Sequence, residues 1–345
     1  GAADTYALMP IYGNYQPLEY IPKAKQAALK ALELDRNLAE AHASLGNITT
    51  TYDYDWDRAE TEYLTAMRLR PGYATAHQWY AEHLAFRGRT EEALENISIA
   101  LELDPFSLVI NRMKGNILGF AGRYEEAIDQ LNRTVDLHPE SPVVRFNLGE
   151  AYAAREMYPE AIERLDSALQ LQPRSAPALR ALAGIYSRFE LPYGLPVWRN
   201  LLGLPDHSTR DRHGYIDLAL RLQRFDLVEP ELATLLAATN VTAVTRSQAA
   251  EYFYRLGDLG RALEFAQQLL AAEPTNRVHS LRTARILLQL PDRSRQLEGL
   301  DLLRRLAPQD SAERAVVLRV VSESPRLAAS DLGAFVETFG LSPSA

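Results

Sequence analysis

Between Pro142 and Ser175 the apolar positions fall into two helical stripes. Leu148, Gly149 and Tyr152 stand at i, i+1 and i+4 of the first stretch, and Ala161, Leu165, Ala168 and Leu169 share one face of the second. The spacing predicts two short helices joined by a tight turn. Neither helix can bury its stripe alone, so neighbouring pairs must stack. Gly149 and Ala161 are small, as is needed where two helix backbones approach closely. Pro173 lacks the N–H that a continuing helix would use, so it sets the turn into the next pair. The pattern recurs: Pro105, Pro139 and Pro173 stand 34 residues apart, and Ala93, Ala127 and Ala161 make a parallel ladder. Such a period marks a repeat architecture.

Other copies follow the same plan. Leu45 and Gly46 with Ala59, Tyr63, Ala66 and Pro71 make one copy, lengthened by one residue. Ala81, Leu84, Ala93, Ile97, Ala100 and Pro105 make a second, and Gly115, Leu118, Ala127, Leu131 and Pro139 a third. Ala24, Ala28 and Ala31 read as the second helix of an earlier copy, with Arg36 in the place of proline. Gly1–Leu8 reads as the middle of a first helix, as it would in a fragment of a longer protein. Beyond Pro173, Leu182, Ala183 and Tyr186 fit a first helix; Leu256 and Gly257 with Ala262, Leu269 and Pro274 read as another copy, and Pro308 follows Pro274 by 34. Counting from Thr5 gives roughly nine helical pairs.

These residues resemble the tetratricopeptide repeat, whose pattern runs aromatic, Leu-Gly, Tyr, Ala, large apolar residue, Pro. The resemblance implies an all-α, right-handed α-solenoid. Residues 1–188 are expected to form a regular solenoid and 213–345 divergent repeats, closed by capping helices near Ala312–Val321 and Ser330–Phe339. Between them, residues 189–212 hold Pro192, Gly194, Pro196, Gly203 and Pro205, leaving room for a short helix around Val197–Leu202. That stretch is either a kinked repeat in a continuous stack or a joint between two halves, and the phase resumes after it with one residue lost. Ala31–Asp35, Ala39–Gly46, Tyr54–Asp57, Ala74–Glu82 and Leu101–Pro105 further resemble the repeat tails of bacterial signalling proteins. In those, a winged-helix, kinase or cyclase module precedes the repeats. The implied role is a non-catalytic protein-interaction scaffold, the C-terminal arm of a larger regulatory protein. The alternative is an enzyme or small-molecule sensor with its site at the divergent stretch.

The family's first helices line a concave groove. By resemblance, that groove would display Asn47, Gln78, Trp79, Glu82, Arg112, Asn116, Phe120, Phe146, Asn147 and Glu150. Arg112, Asn116 and Asn147 resemble part of a carboxylate clamp, in which a basic residue and asparagines hold a peptide's C-terminal carboxylate and backbone. An Asn side chain offers a donor and an acceptor to a peptide unit, and Arg adds a charge-assisted bond. The clamp is incomplete, because Pro177 and Ala181 stand where two further basic residues belong and Arg180 is one step off. In the back half, Arg188, Arg221 and Arg255 recur at one repeat position. With Arg180, Arg210, Arg282 and Arg285 they would line a basic trough for an acidic segment, or simply form a solvated surface.

Net charge is −8, divided as −10 over residues 1–173 and +2 over 174–345. The acidic front half argues against nucleic acid as a partner. The expected partner is a protein or peptide, including one with an acidic or C-terminal carboxylate segment. Only Lys23, Lys25, Lys30 and Lys114 are lysines; the arginine excess reads either as genomic base composition or as a demand for bidentate carboxylate contacts. Absence of cysteine excludes disulfides and thiolate metal sites. No apolar run is long enough to span a membrane. A cytoplasmic setting is expected, or a periplasmic one if a membrane segment lies upstream.

Asp53, Asp55 and Asp57 alternate as in a calcium loop, but Arg58 replaces the turn glycine and Leu64 the last carboxylate. The better account has Asp57 capping the helix it opens, with Glu60 completing the box and Tyr52, Tyr54 and Trp56 packing the lengthened turn. His42 and His77 read as buried spacers at a position that normally packs an aromatic. The remaining histidines form no pair suited to zinc. The glycosylation sequons at Asn47 and Asn96 fall inside expected helices. No phosphate loop or nucleophile elbow is present, and no cofactor is expected.

Overall fold

A computed structural model describes Thr5 and residues 17–306, 311–324 and 326–338. These residues form nineteen α-helices and no strand. Helix α1 is Pro17–Leu34. Antiparallel pairs follow: α2 (Ala39–Ile48) with α3 (Trp56–Leu69), α4 (Ala74–Phe86) with α5 (Thr90–Leu103), α6 (Leu108–Phe120) with α7 (Tyr124–Leu137), and α8 (Pro142–Ala154) with α9 (Tyr158–Leu171). Helix α10 is Ala176–Arg188 and α11 the short Gly194–Leu202. Then come α12 (Thr209–Arg221), α13 (Phe225–Leu236), α14 (Ala243–Leu256), α15 (Leu259–Ala272), α16 (Arg277–Gln289), α17 (Arg293–Arg305), α18 (Ser311–Ser322) and α19 (Ala329–Thr338). The chain divides into two compact units, Gly1–Ile185 and Tyr186–Ala345. The expected features at Gly1–Leu8, Pro308 and Phe339 lie outside the described residues, apart from a helical Thr5.

The pairs close as the sequence pattern requires. A Cβ added at Gly149 would sit 2.9 Å from Leu165 Cγ and 3.3 Å from the Ala161 carbonyl oxygen. At Gly115 it would meet Leu131 at 2.6 Å, and at Gly46 the Tyr63 ring at 2.9 Å. Opposite them Ala59, Ala127 and Ala161 are fully buried, as are Ala93 and Ala262 at the same position of their own pairs. Leu131 packs with Leu148 of the following pair and Leu165 against Gly149 in its own, all with no significant exposure, which is worth roughly 1.5–3 kcal/mol each.

A second period lies in the backbone. Tyr54, Gly88, Gly122, Glu156, Glu190, Gln223 and Gly257 all take positive φ, between 52° and 81°. They mark the same turn of each pair, 34 residues apart except for the 33 between Glu190 and Gln223, where the one-residue loss falls. Glycine adopts this left-handed conformation freely, whereas other residues do so at a cost. The ladder corrects one reading. Gly257 is the left-handed turn residue of its pair, following an exposed Leu256, and is not a close-contact glycine. Only five residues separate it from Ala262, against twelve between Gly149 and Ala161. The fully buried Ala249 and Ala250 hold the Leu-Gly place instead.

The residue that lengthens the first pair is absorbed by a π-helical turn, Thr49–Asp53, ending on left-handed Tyr54. Helix α3 is capped by Asp55, whose side chain accepts from the Arg58 N–H at 3.3 Å, and not by Asp57. Tyr54 is 71% exposed and does not pack the turn. Glu60 completes no capping box: it accepts from Tyr80 Oη and Arg89 Nη1, both at 2.7 Å, and from Arg87 Nη1 at 3.0 Å. The helix expected at Val197–Leu202 begins three residues earlier. It buries Leu195, Trp198 and Leu201, and Trp198 Nε1 donates to Ser187 Oγ at 2.9 Å.

The histidines called spacers do more than fill space. His42 and His77 each bring Nε2 to 3.0 Å from the carbonyl six residues back, Arg36 and Pro71. Their Nδ1 atoms meet Glu62 and Asn96 on the second helix. Asn111 and Arg145 repeat the clip onto the carbonyls of Pro105 and Pro139. One repeat position thus ties the preceding turn to its own pair through three different side-chain chemistries.

Candidate functional site

In the first unit, Asn116 and Phe120 on α6 and Asn147 and Glu150 on α8 line one cleft of about 340 Å3 together with Tyr124. The asparagines come from successive pairs, as the repeat register implies. Helical backbone makes the cleft possible at Gly119, where an added Cβ would meet nothing within 4 Å. Phe120 is 72% exposed. The Asn147 Oδ1 atom is buried and has no hydrogen-bond donor. Glu150 is exposed at the cleft mouth, yet enough protein surrounds its carboxyl for desolvation to push it above the usual glutamate value.

The other expected groove residues are dispersed. Arg112 does not line the cleft; its charge partly offsets the burial that raises the Glu82 carboxyl. Trp79 is half-buried and packs against Ala43, Ala66 and Ala76. The Asn47 carbonyl accepts from Thr51 Oγ1 at 2.7 Å in the π turn. Phe146 is half-buried. Arg180 is half-buried and Arg188 exposed, and neither is free of partners.

In the second unit, Arg221 and Arg255 line a recess of about 480 Å3 with Glu190, Gln223 and Phe225. Arg221 lies 4.0 Å from Glu190. Arg255 donates to Glu251 at 2.7 Å and to the Leu220 carbonyl at 2.5 Å. Glu251 also receives Arg285 at 2.5 Å, and the Arg285 guanidinium lies over Tyr254 at 4.2 Å. Burial would raise the Glu251 carboxyl, but the charges and hydrogen bonds of Arg285 and Arg255 outweigh it and hold it below the ordinary range. Arg282 Nη1 and Arg285 Nε are buried without acceptors, and burial pushes the Arg282 guanidinium below the usual arginine value.

The alternating aspartates are engaged in structure. Asp53 pairs with Lys25 at 2.5 Å, Asp55 caps α3, and Asp57 accepts from Arg87 at 3.1 Å. Among the described residues no group of three or more His, Cys, Asp or Glu is placed to hold a metal ion, and no helix is long and apolar enough to cross a membrane. Sequence reasoning missed Gly119, Tyr124, Gln223, Phe225 and Glu251. Their only signal is nearness in sequence, since each lies within four residues of one that the repeat register had placed.

Comparison with known proteins identifies the repeat. Residues 54–107 and 121–187 match models of the tetratricopeptide repeat. The transcriptional regulator HilA of Salmonella typhimurium is 34% identical over 103 residues, covering 30% of this chain and 18% of that protein; HilA of Salmonella typhi matches to the same extent. The match thus spans under a fifth of the length of these curated relatives. Among solved structures, a tetratricopeptide repeat protein from Parabacteroides merdae aligns over 72% of this chain and 99% of its own, at 14% identity and a TM-score of 0.51. The Pseudomonas aeruginosa pilF structure aligns over 64% and 97%, at 20% identity and a TM-score of 0.50. At these identities the likeness is one of fold.

Proposed function

We propose that this tetratricopeptide-repeat chain is a protein-interaction scaffold that holds an extended segment of a partner protein in the α6–α8 cleft. One observation carries the reading: Asn116 and Asn147, supplied by successive repeats, line the same cleft beside an exposed aromatic ring. Two amides at repeat spacing can each bond a peptide unit of an extended chain, and Phe120 offers apolar surface to a side chain between them. The partial match to a transcriptional regulator supports a further element, that the repeats are the docking arm of a larger bacterial regulatory protein.

The test is the double variant Asn116→Ala/Asn147→Ala, measured against peptides selected on the parent chain. Each lost hydrogen bond is worth roughly 0.5–1.5 kcal/mol, so affinity should fall about five-fold or more. The melting temperature should hold, because neither side chain bonds to another repeat among the described residues. Unchanged affinity would remove the cleft from the account. A second reading, a carboxylate-bearing segment at α14 and α16, is favoured by the acceptor-less nitrogens of Arg282 and Arg285.

A further inference from the structure

We infer that the α6–α8 cleft receives a cationic side chain, lysine or arginine, from the partner segment, and not a carboxylate. This deepens the reading of the cleft as the partner site and rests on it. Glu150 is the one charged residue lining the cleft, and no arginine or lysine lines it. Two other desolvated acids of the first unit have counter-charges: Glu82 has Arg112, and Glu60 has Arg87 and Arg89; Asp166 is desolvated without one but does not line the cleft. Glu150 has no ion pair among the described residues, and desolvation acts on its carboxyl unopposed. An unpaired, partly desolvated carboxylate is the group that gains most from an incoming cation.

Three further features agree. The buried Asn147 Oδ1 lacks a donor, and a turn of the amide would present it to an ammonium or guanidinium N–H. The exposed Phe120 ring and Tyr124 flank the space, and a cation is attracted to an aromatic face. Residues 1–173 carry net charge −10, which draws basic segments toward this unit and repels acidic ones. A peptide carboxylate placed here would face Glu150 with no cation between them.

Blocked tripeptides Ala-X-Ala test this by NMR titration of the whole chain, read on the side-chain amides of Asn116 and Asn147. X is arginine, citrulline (the same shape without the charge) or glutamate. Arginine should shift both amides and bind at least about five-fold more tightly than citrulline. Glutamate should be weakest. Glu150→Gln should erase the preference for arginine, bringing its affinity down to that of citrulline. Equal binding of arginine and citrulline, or tighter binding of glutamate, overturns the charge inference and leaves the cleft as a peptide site. If no probe moves either amide, the cleft reading fails and the inference with it.

Discussion

The cleft of the first unit and the arginine recess of the second are comparable in size, about 340 and 480 Å3, but their charged groups are in opposite states. In the recess, Arg255 is held by Glu251 and the Leu220 carbonyl, and Arg221 faces Glu190. In the cleft, among the described residues, Glu150 has no ion pair and Asn147 Oδ1 no donor. A row of arginines at repeat spacing therefore overstates the charge a ligand would meet. The cleft offers more unspent bonding capacity: the buried Asn147 Oδ1 is unsatisfied, which costs about 1–3 kcal/mol until a donor arrives, and Glu150 lines the same space.

The largest effect expected on this contrast comes from below the cleft. Gly149 lies between Asn147 and Glu150 in α8, against Leu165 and the Ala161 carbonyl. Gly149→Leu should overpack that contact, costing about 1–3 kcal/mol in thermal or denaturant unfolding and displacing both cleft residues. A neutral variant would show that close helix approach does not position the site.

Acidification should separate the two regions. Desolvation raises the Glu150 carboxyl above the ordinary 4.5. Its proton is then bound more tightly folded than unfolded, and stability rises as pH falls through that raised value. For Glu251 burial is outweighed by Arg285 and Arg255, so its carboxyl lies below 4.5. Its stabilising contribution is present above 4.5 and lost as pH falls through the lower folded value. Carboxyl carbon shifts followed against pH should therefore show Glu150 titrating first. The reverse order would mean the pairing is misassigned.

The smallest effect concerns the recess. Gln223 lines it in a left-handed turn at φ 56°. Gln223→Gly should stabilise the protein by about 1 kcal/mol, by removing the cost of a side chain in that conformation. A loss of stability would show that its contacts outweigh the strain.

What could be read in advance follows physical lines. Pro105, Pro139 and Pro173 announce the repeat because proline marks each turn by its own chemistry. Asn116 and Asn147 could be placed together because the register fixes which face a position occupies. The left-handed turns at Glu156, Glu190 and Gln223 could not be read, since only glycine signals that conformation. The same gap let Gly257 pass for a packing glycine. The clip shared by His42, His77, Asn111 and Arg145 stayed hidden because one geometric task is done by dissimilar side chains. Charge pairing across 30 or more residues, as between Arg285 and Glu251, is equally silent in a sequence. So was the freedom of Glu150, which depends on the absence of such a partner.

The most direct test plugs the cleft without touching the recess. An added Cβ at Gly119 meets open space, so Gly119→Leu should fill the cleft, and exchanging glycine for leucine within a helix should raise stability by up to about 1 kcal/mol. Peptides selected from a random library on the parent chain are then measured on Gly119→Leu and on Arg221→Gln/Arg282→Gln. The account predicts at least about ten-fold weaker binding to the plugged variant and unchanged binding to the arginine variant. Full binding to the plugged chain with loss on the arginine variant would contradict it and move the partner site to the second unit.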